Sequence, residues 1–541
     1  MVPEGSIYLG SGSDSGIAQG LKLKYANRHG LVAGATGTGK TVTVQIMAEA
    51  FSAAGVPVFV ADVKGDVSGL SQPGSLHPKL EERAAILGLS DYAYAGSTCA
   101  FWDLFGTMGH AVRATVSDMG PLLLARMLNL NATQEGVLNI AFAVADEEGM
   151  PLLDFKDLRQ MLVFVGQHRK QLSLSYGAIS TASVGAIQRA LLTLQRQGGD
   201  QFIGEPALKL TDLMRTTAQG RGVINVLSAE TLMTAPKLYA AFMLWLVSEL
   251  FEELPEAGDT DKPKLVFFFD EAHLLFRDAE PGLIEKVEQV VRLIRSKGVG
   301  LYFISQNPQD IPDRILSQLG NRIQHALRAY TPGEQRAVRV AADSFRPNPA
   351  FDTEEIITQL GVGEALVSTL EKKGVPSVVE KTLIRPPQCR MGPITDAERR
   401  AILAASGLGA HYDTALDRRS AYEILHERMA QADDFGNEES RDFEDQLRYE
   451  ADRGRRSHAG YGATNTGDST GGRRAGGMRY SSNRRRRSSR SDTIGEAAMK
   501  SFARSMSSTM GRELSKSLAR GLLGSPRRRS SSRRRSSSRR R

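Results

Sequence analysis

The sequence predicts an α/β protein built on a mainly parallel central sheet. Three observations carry that expectation. A glycine-rich stretch, Gly34-Ala35-Thr36-Gly37-Thr38-Gly39-Lys40-Thr41, stands between an apolar run, Leu31-Val32-Ala33, and a helical stretch beginning at Val42. Apolar runs of strand length recur at 56–61, 223–227, 265–269 and 299–304. Two of those runs end in carboxylates, at Asp62 and at Asp270-Glu271. Unbroken apolar runs suit strands buried on both faces, as in a parallel sheet with helices on either side.

The glycine stretch fits the pattern G-x-x-x-x-G-K-[ST] in full. Its glycines let the backbone curl until successive N–H groups point inward at phosphates. The first turn of the following helix adds its dipole to the same anion site. Residues Gly34, Ala35, Thr36, Gly37, Thr38, Gly39, Lys40 and Thr41 are therefore the expected nucleotide cradle, with ATP and Mg²⁺ as cofactors. Lys40 supplies a mobile charge for the β- and γ-phosphates, and Thr41 a hydroxyl for Mg²⁺.

The run Leu265-Val266-Phe267-Phe268-Phe269 delivers Asp270 and Glu271 to the carboxyl end of a strand, where the glycine loop must also sit. Asp270 is expected to hold Mg²⁺ through water, and Glu271 to polarise the water that attacks the γ-phosphate. Gln306 ends the next strand and either senses the γ-phosphate or is a plain strand-end polar residue. The letters Asp-Glu-Ala-His at 270–273 also name a two-lobed helicase class. That class needs a second lobe with a Q-x-x-G-R-x-G-R stretch, which is absent. No Asn-Lys-x-Asp guanine-reading motif occurs either, which argues against a GTPase.

The remaining elements follow in order. Residues 1–30 are Gly/Ser-rich, with strand-like pieces at 7–9 and 21–23. The strand ending at Asp62 is expected beside the first in the sheet. Apolar residues recurring at helical spacing, Leu122-Leu123-Leu124, Met127-Leu128, Val137-Leu138 and Leu191-Leu192-Leu194, make 110–220 a helical insertion or subdomain, or else a set of ordinary flanking helices. A strongly apolar helix covers 238–254, its aromatics Tyr239, Phe242, Trp245 and Phe251 assigned to the core.

A helix over 282–297 buries Leu283, Ile284, Val287, Val290, Val291 and Ile294. Arg292 and Arg295 share another face. They form either a solvated face, with Glu288 paired to Arg292, or an arginine finger for a neighbouring subunit. A last parallel strand is expected at 323–329 and a hairpin over 364–383, with Arg385-Pro386-Pro387 ending the sheet. The resulting partition is 1–109 and 221–390 for the ATPase domain, 110–220 for the insertion, 391–450 for a charged helical extension and 451–541 for a tail.

Charge separates that tail from the body. The chain of 541 residues carries +8 overall. Residues 451–541 hold 25 Lys and Arg against 5 Asp and Glu, whereas the other 450 hold 44 against 56. An Arg/Ser/Gly segment of that kind cannot bury enough apolar surface to fold, so a mostly disordered tail is expected. Its repeats suit salt-sensitive binding to phosphate backbones, or simple solubilisation. One basic amphipathic helix is expected at about 493–523. Two cysteines far apart, Cys99 and Cys389, argue for a reducing cytoplasm. No apolar run reaches the ~18 residues of a membrane span, and the N-terminus lacks the order of a signal peptide.

Taken in order, these motifs resemble the HerA/FtsK branch of P-loop motor ATPases, and in particular the bacterial HerA-like C-terminal-domain proteins of the YjgR type. The matching points are 34–41, Asp270-Glu271, the stretch from Arg295 to Leu301, and Ser305-Gln306-Asn307-Pro308, over roughly residues 20–450. The resemblance implies a RecA-like domain in a homo-oligomeric ring, commonly a hexamer, moving along double-stranded DNA as a translocase or helicase. It implies nucleotide binding by Lys40 and Thr41, Mg²⁺ and water at Asp270 and Glu271, γ-phosphate sensing by Gln306, and Arg295 as a finger in trans. Only 33 residues precede the loop. HerA's N-terminal β-barrel is thus not expected, which argues against a nuclease partner. The competing expectation is a regulatory or scaffold ATPase whose nucleotide state controls assembly without translocation.

Overall fold

The computed structural model describes residues 5–276 and 281–431. Twelve strands form one sheet: β1 (Ser6–Gly12), β2 (Ala18–Lys22), β3 (Gly30–Ala33), β4 (Val58–Asp62), β5 (Cys99–Asp103), β6 (His110–Ala111), β7 (Ile224–Ser228), β8 (Leu265–Phe269), β9 (Val299–Ser305), β10 (Asn321–Gln324), β11 (Glu364–Ser368) and β12 (Glu380–Ile384). Their spatial order is β2-β1-β12-β11-β10-β3-β9-β8-β4-β7-β5-β6. From β10 to β6 every neighbouring pair is parallel. The four strands at the other edge are antiparallel. This is the mixed α/β, largely parallel architecture expected.

One placement differs. The strand ending at Asp62 is not beside β3, because β9 and β8 lie between them. The run β3-β9-β8-β4 is held by continuous parallel registers, Val32 opposite Ile304, Phe268 opposite Tyr302 and Val60 opposite Phe268. Strands β8 and β9 are buried throughout. Strands β3, β4, β5 and β7 are buried throughout as well, so every one of these apolar runs suits a parallel strand covered on both faces and the local pattern does not choose among them.

The two faces divide the apolar residues by strand alternation. Phe267, Phe269, Leu301 and Phe303 pack on one side with Phe242, Leu246 and Leu250 of the helix Pro236–Glu253. Phe268, Tyr302 and Ile304 pack on the other with Val44, Ile46 and Phe51 of the helix Lys40–Ala53. Phe269 and Phe303 stack at 5.1 Å and Phe59 and Phe267 at 4.7 Å across adjacent strands. The aromatics assigned to the core are there: Tyr239, Phe242 and Trp245 are buried and Phe251 is half-buried.

Between β6 and β7 the chain is helical, including Val116–Met127, Ala132–Glu147, Phe155–Gln167 and Thr181–Arg196. Side-chain caps at Thr115, Asn131 and Asp154 start the first three. Their apolar stripes join the first face of the sheet. Leu122 and Leu192, one step off those stripes, are exposed.

Some bounds shift. The strand expected at 323–329 runs over Asn321–Gln324, and the helix expected at 282–297 covers Pro281–Ile294 before a 3-10 turn, Arg295–Lys297. The expected hairpin is present, its second strand confined to Glu380–Ile384. Beyond the sheet, Glu49 accepts the N–H groups of Gln388 and Cys389. From the helix Asp396–Ala405, Arg399 inserts its guanidinium over Phe101, 3.0 Å from the Met108 carbonyl. Residues 426–431 are helical. The tail, and the amphipathic helix expected at about 493–523, lie outside the described residues.

Candidate nucleotide site

The glycine loop leaves β3 and enters the helix Lys40–Ala53 as the pattern requires. Gly37 (φ 79°) and Gly39 (φ 113°) hold left-handed backbone that L side chains rarely adopt. At Gly34 a Cβ would lie 2.5 Å from the Cβ of His325. The loop is tied from below: Ala35 N–H donates to the Ala326 carbonyl (2.8 Å), and Gly363 N–H to that of Thr38 (3.1 Å). His325 is buried beneath it, and burial pulls its pKa down to about 4. The neutral ring therefore donates from Nδ1 to the Glu364 carbonyl (3.0 Å) and accepts the Thr43 hydroxyl at Nε2 (2.9 Å). Lys40 turns back on its own loop, Nζ donating to the carbonyls of Gly34 (2.6 Å) and Ala35 (3.1 Å).

Strand order sets the geometry opposite the loop. One strand, β9, separates β3 from β8, which puts the acids about 10 Å from the loop's strand at the usual inter-strand spacing. Gln306 follows β9 and so stands between loop and acids. A cap beyond it fixes the strand tip: Asp310 accepts the Ser305 hydroxyl (2.5 Å) and the Asn307 N–H (3.1 Å). The Gln306 amide reaches both carboxylate oxygens of Glu271 at 3.4 Å.

Glu271 is 4 % exposed and sits at φ 46°, left-handed backbone for a residue with a side chain. Such a conformation persists only where the surroundings hold it. Its carboxylate pairs with Lys64 and lies 3.2 Å from His273 Nδ1. Burial favours the neutral acid, yet the Lys64 hydrogen bond and charge outweigh it and hold the group below its ordinary value. Asp270 goes the other way. Burial, then the neighbouring Glu271, raise it to about 6. Two adjacent carboxyls are thereby driven apart in acidity, the anion held at Glu271.

Hard oxygen donors suited to Mg²⁺ are present at the loop. The Thr41 hydroxyl donates to Asp66 Oδ2 at 3.3 Å, and Asp66 Oδ1 is buried with no hydrogen-bond partner. Among the described residues no three His, Cys, Asp or Glu are disposed to cage an ion.

The structure thus brings Gly34 to Thr41, Asp270, Glu271 and Gln306 to one edge of the sheet. It does not bring Arg295 there. Arg295 is exposed at the amino end of β9. Among the described residues Glu288 pairs with Arg314, at 3.7 Å, instead of the expected Arg292. Sequence reasoning missed Lys64, His273 and His325. Lys64 carried a signal, a basic residue in the turn after a strand ending in Asp62. His325 carried none, since only the fold puts it under the loop.

A glycine loop opening into a helix, with acids and a polar tip on neighbouring parallel strands, defines a P-loop NTPase. A family model described as "Helicase HerA-like C-terminal" matches residues 10–530, and the chain belongs to that family. It is 21% identical over 380 residues to the DNA double-strand break repair helicase HerA of Sulfurisphaera tokodaii, covering 67% of each chain. It is 29% identical over 125 residues, 22% of each chain, to a probable helicase of Methanocaldococcus jannaschii. Among solved structures it is similar to VirB4 of Thermoanaerobacter pseudethanolicus (15% identity, TM-score 0.46, covering 71% of this chain and 97% of that one). It is also similar to the bacterial conjugative coupling protein TrwBΔN70 (13% identity, TM-score 0.43, 69% and 90%). No helix among the described residues is long and apolar enough to cross a membrane.

Proposed function

We propose that this chain is an ATP-hydrolysing ring motor that moves along double-stranded DNA in the cytoplasm, within the HerA-like family and of its bacterial YjgR type. The observation that carries the ATPase reading is the convergence of the Lys40 loop, Gln306 and Glu271 on one sheet edge. Lys40 leaves the carbonyls it now holds to bind the β- and γ-phosphates. Thr41 and Asp270 hold Mg²⁺, which neutralises phosphate charge when bound. Glu271, kept anionic, takes the proton of the attacking water, and Gln306 positions that water against the γ-phosphate.

Arg295 stands at the far end of β9 from its own loop, which supports a role in trans at a neighbour's nucleotide in a homo-oligomeric, hexameric ring. DNA as the moved polymer rests on family membership, on the printed activity of the HerA relatives and on the basic residues of 451–541. The test is the ATPase rate of the full chain with and without double-stranded DNA, across a salt series. Stimulation that fades with salt is expected. No stimulation and no salt-sensitive binding would remove the translocase reading and leave the assembly-controlling ATPase.

A further inference from the structure

None of these roles uses Lys64, yet it stands in the middle of the site. It projects from a turn that Asp62 shapes, the carboxylate accepting the N–H groups of Gly65 (2.8 Å) and Val67 (3.0 Å). Gly65 takes φ 77°, left-handed backbone that L side chains rarely adopt, which suits a glycine at this turn. Lys64 is thus presented from a fixed backbone on β4, directly across from the acids that follow β8. Its Nζ pairs with Glu271 Oε1.

Two ammonium groups thus stand at the carboxyl ends of the parallel strands, each resting on a protein oxygen, Lys40 on Gly34 and Ala35 and Lys64 on Glu271. A phosphate seated on the glycine loop offers each of them a stronger anionic partner than a carbonyl or a shared carboxylate. The Lys64 side chain is 41% exposed and that of Glu271 5%, so the lysine is the partner with room to move.

The geometry points to Lys64 as a second phosphate-binding cation, one whose Nζ leaves Glu271 for the γ-phosphate when ATP enters. The exchange has two consequences for hydrolysis. It adds a positive charge where charge spreads over the transferring phosphoryl group. It also frees the Glu271 carboxylate at the moment a water needs a base. The water oxygen then bonds to Pγ, and the bond from Pγ to the bridging oxygen breaks with its electron pair left on ADP. The water proton passes to Glu271. With no γ-phosphate present the ion pair reforms and the base is occupied.

This inference rests on the ATPase reading, and the test separates the two. The affinities of the full chain for Mg²⁺-ADP and for a non-hydrolysable Mg²⁺-ATP analogue are compared for wild type, Lys64→Ala and Lys64→Met, the last keeping the apolar stem. Thermal unfolding checks that each is folded. The analogue is expected to bind about tenfold more weakly to both variants with ADP unchanged, as for loss of one charge-assisted phosphate contact. The same loss is expected when Lys64→Ala is made on Glu271→Gln, where the ion pair no longer exists to be broken. Equal loss for both nucleotides, no loss, or a loss that disappears on Glu271→Gln overturns the assignment. Lys40→Ala is the control. If it keeps full affinity for both nucleotides, the nucleotide reading falls and Lys64 with it; if it loses both, a negative result at Lys64 counts against Lys64 alone.

Discussion

The two ends of β9 are built to different standards of completeness. At the carboxyl end each polar group has a partner in the same chain: Ser305 on Asp310, Gln306 on Glu271, Glu271 on Lys64. At the amino end the turn is secured around Arg295 but its guanidinium is not. The Asn27 side chain donates to the Arg295 carbonyl (3.3 Å), Gly298 N–H closes the turn onto the same carbonyl (3.0 Å), and Lys297 pairs with Glu256 at 3.2 Å. The Arg295 guanidinium itself is exposed and, among the described residues, has no carboxylate within 4 Å. A rigid strand about 20 Å long separates the two ends. A charge so firmly placed and so far from its own loop suits a partner outside the chain.

That contrast can be broken experimentally, beginning with the largest effect. Arg295→Ala is expected to lower turnover about 10³-fold, the scale of a lost arginine finger, with nucleotide affinity kept. Mixing Arg295→Ala with Lys40→Ala chains should recover part of the rate, because some interfaces then join the intact Lys40 of one chain to the intact Arg295 of its neighbour. A mixture as inactive as its parts would place Arg295 outside the reaction. Glu271→Gln is next, with turnover down about 10²-fold or more and ATP retained, the scale of a lost general base. Undiminished turnover would remove Glu271 from the water.

The amino end has its own anchor in His29, which joins β9 to the helix Pro281–Ile294 that leads into Arg295. Its Nδ1 accepts the Leu301 N–H (3.0 Å), and its Nε2–H donates to the Val291 carbonyl (2.7 Å). Burial pulls its pKa from 6.5 down to about 4. Between those values the unfolded chain binds the extra proton. The contribution of His29 is therefore complete above pH 6.5 and is lost as pH falls towards 4. At pH 5 the loss is about 2 kcal/mol for this one group. His29→Gln removes the titration, so the stability gap between wild type and variant should narrow by about that amount from pH 7 to pH 5, read by thermal or denaturant unfolding. Parallel curves would show that His29 does not titrate as a buried neutral ring. The smallest effect belongs to Gln306→Ala, about tenfold in turnover, since it only orients groups that Glu271 and the loop already hold.

Much of the site was legible without coordinates because its chemistry is local. The loop from Gly34 to Thr41 needs glycines at set intervals to expose its N–H groups, and Asp270-Glu271 needs only an apolar strand before it. Lys64 was legible only as a basic residue in the turn after Asp62, which reads as solvated until β4 is known to lie beside β8. His325 was not legible, because its place under the loop depends on β10 pairing with β3. The expected Glu288–Arg292 pair failed for the same reason in reverse: the helix offered Arg292, but tertiary packing offered Arg314.

The sequence by itself determined what each strand end carries: a phosphate loop after β3, acids after β8, an amide after β9 and a lysine after β4. Only the tertiary structure decided which of these face one another. The runs of β3, β4, β5, β7, β8 and β9 are all buried throughout, so their order is set by packing across the whole chain, which no local pattern records. The insertion of β9 and β8 between β3 and β4 put Gln306 between Lys40 and Glu271, and Lys64 within reach of the acid.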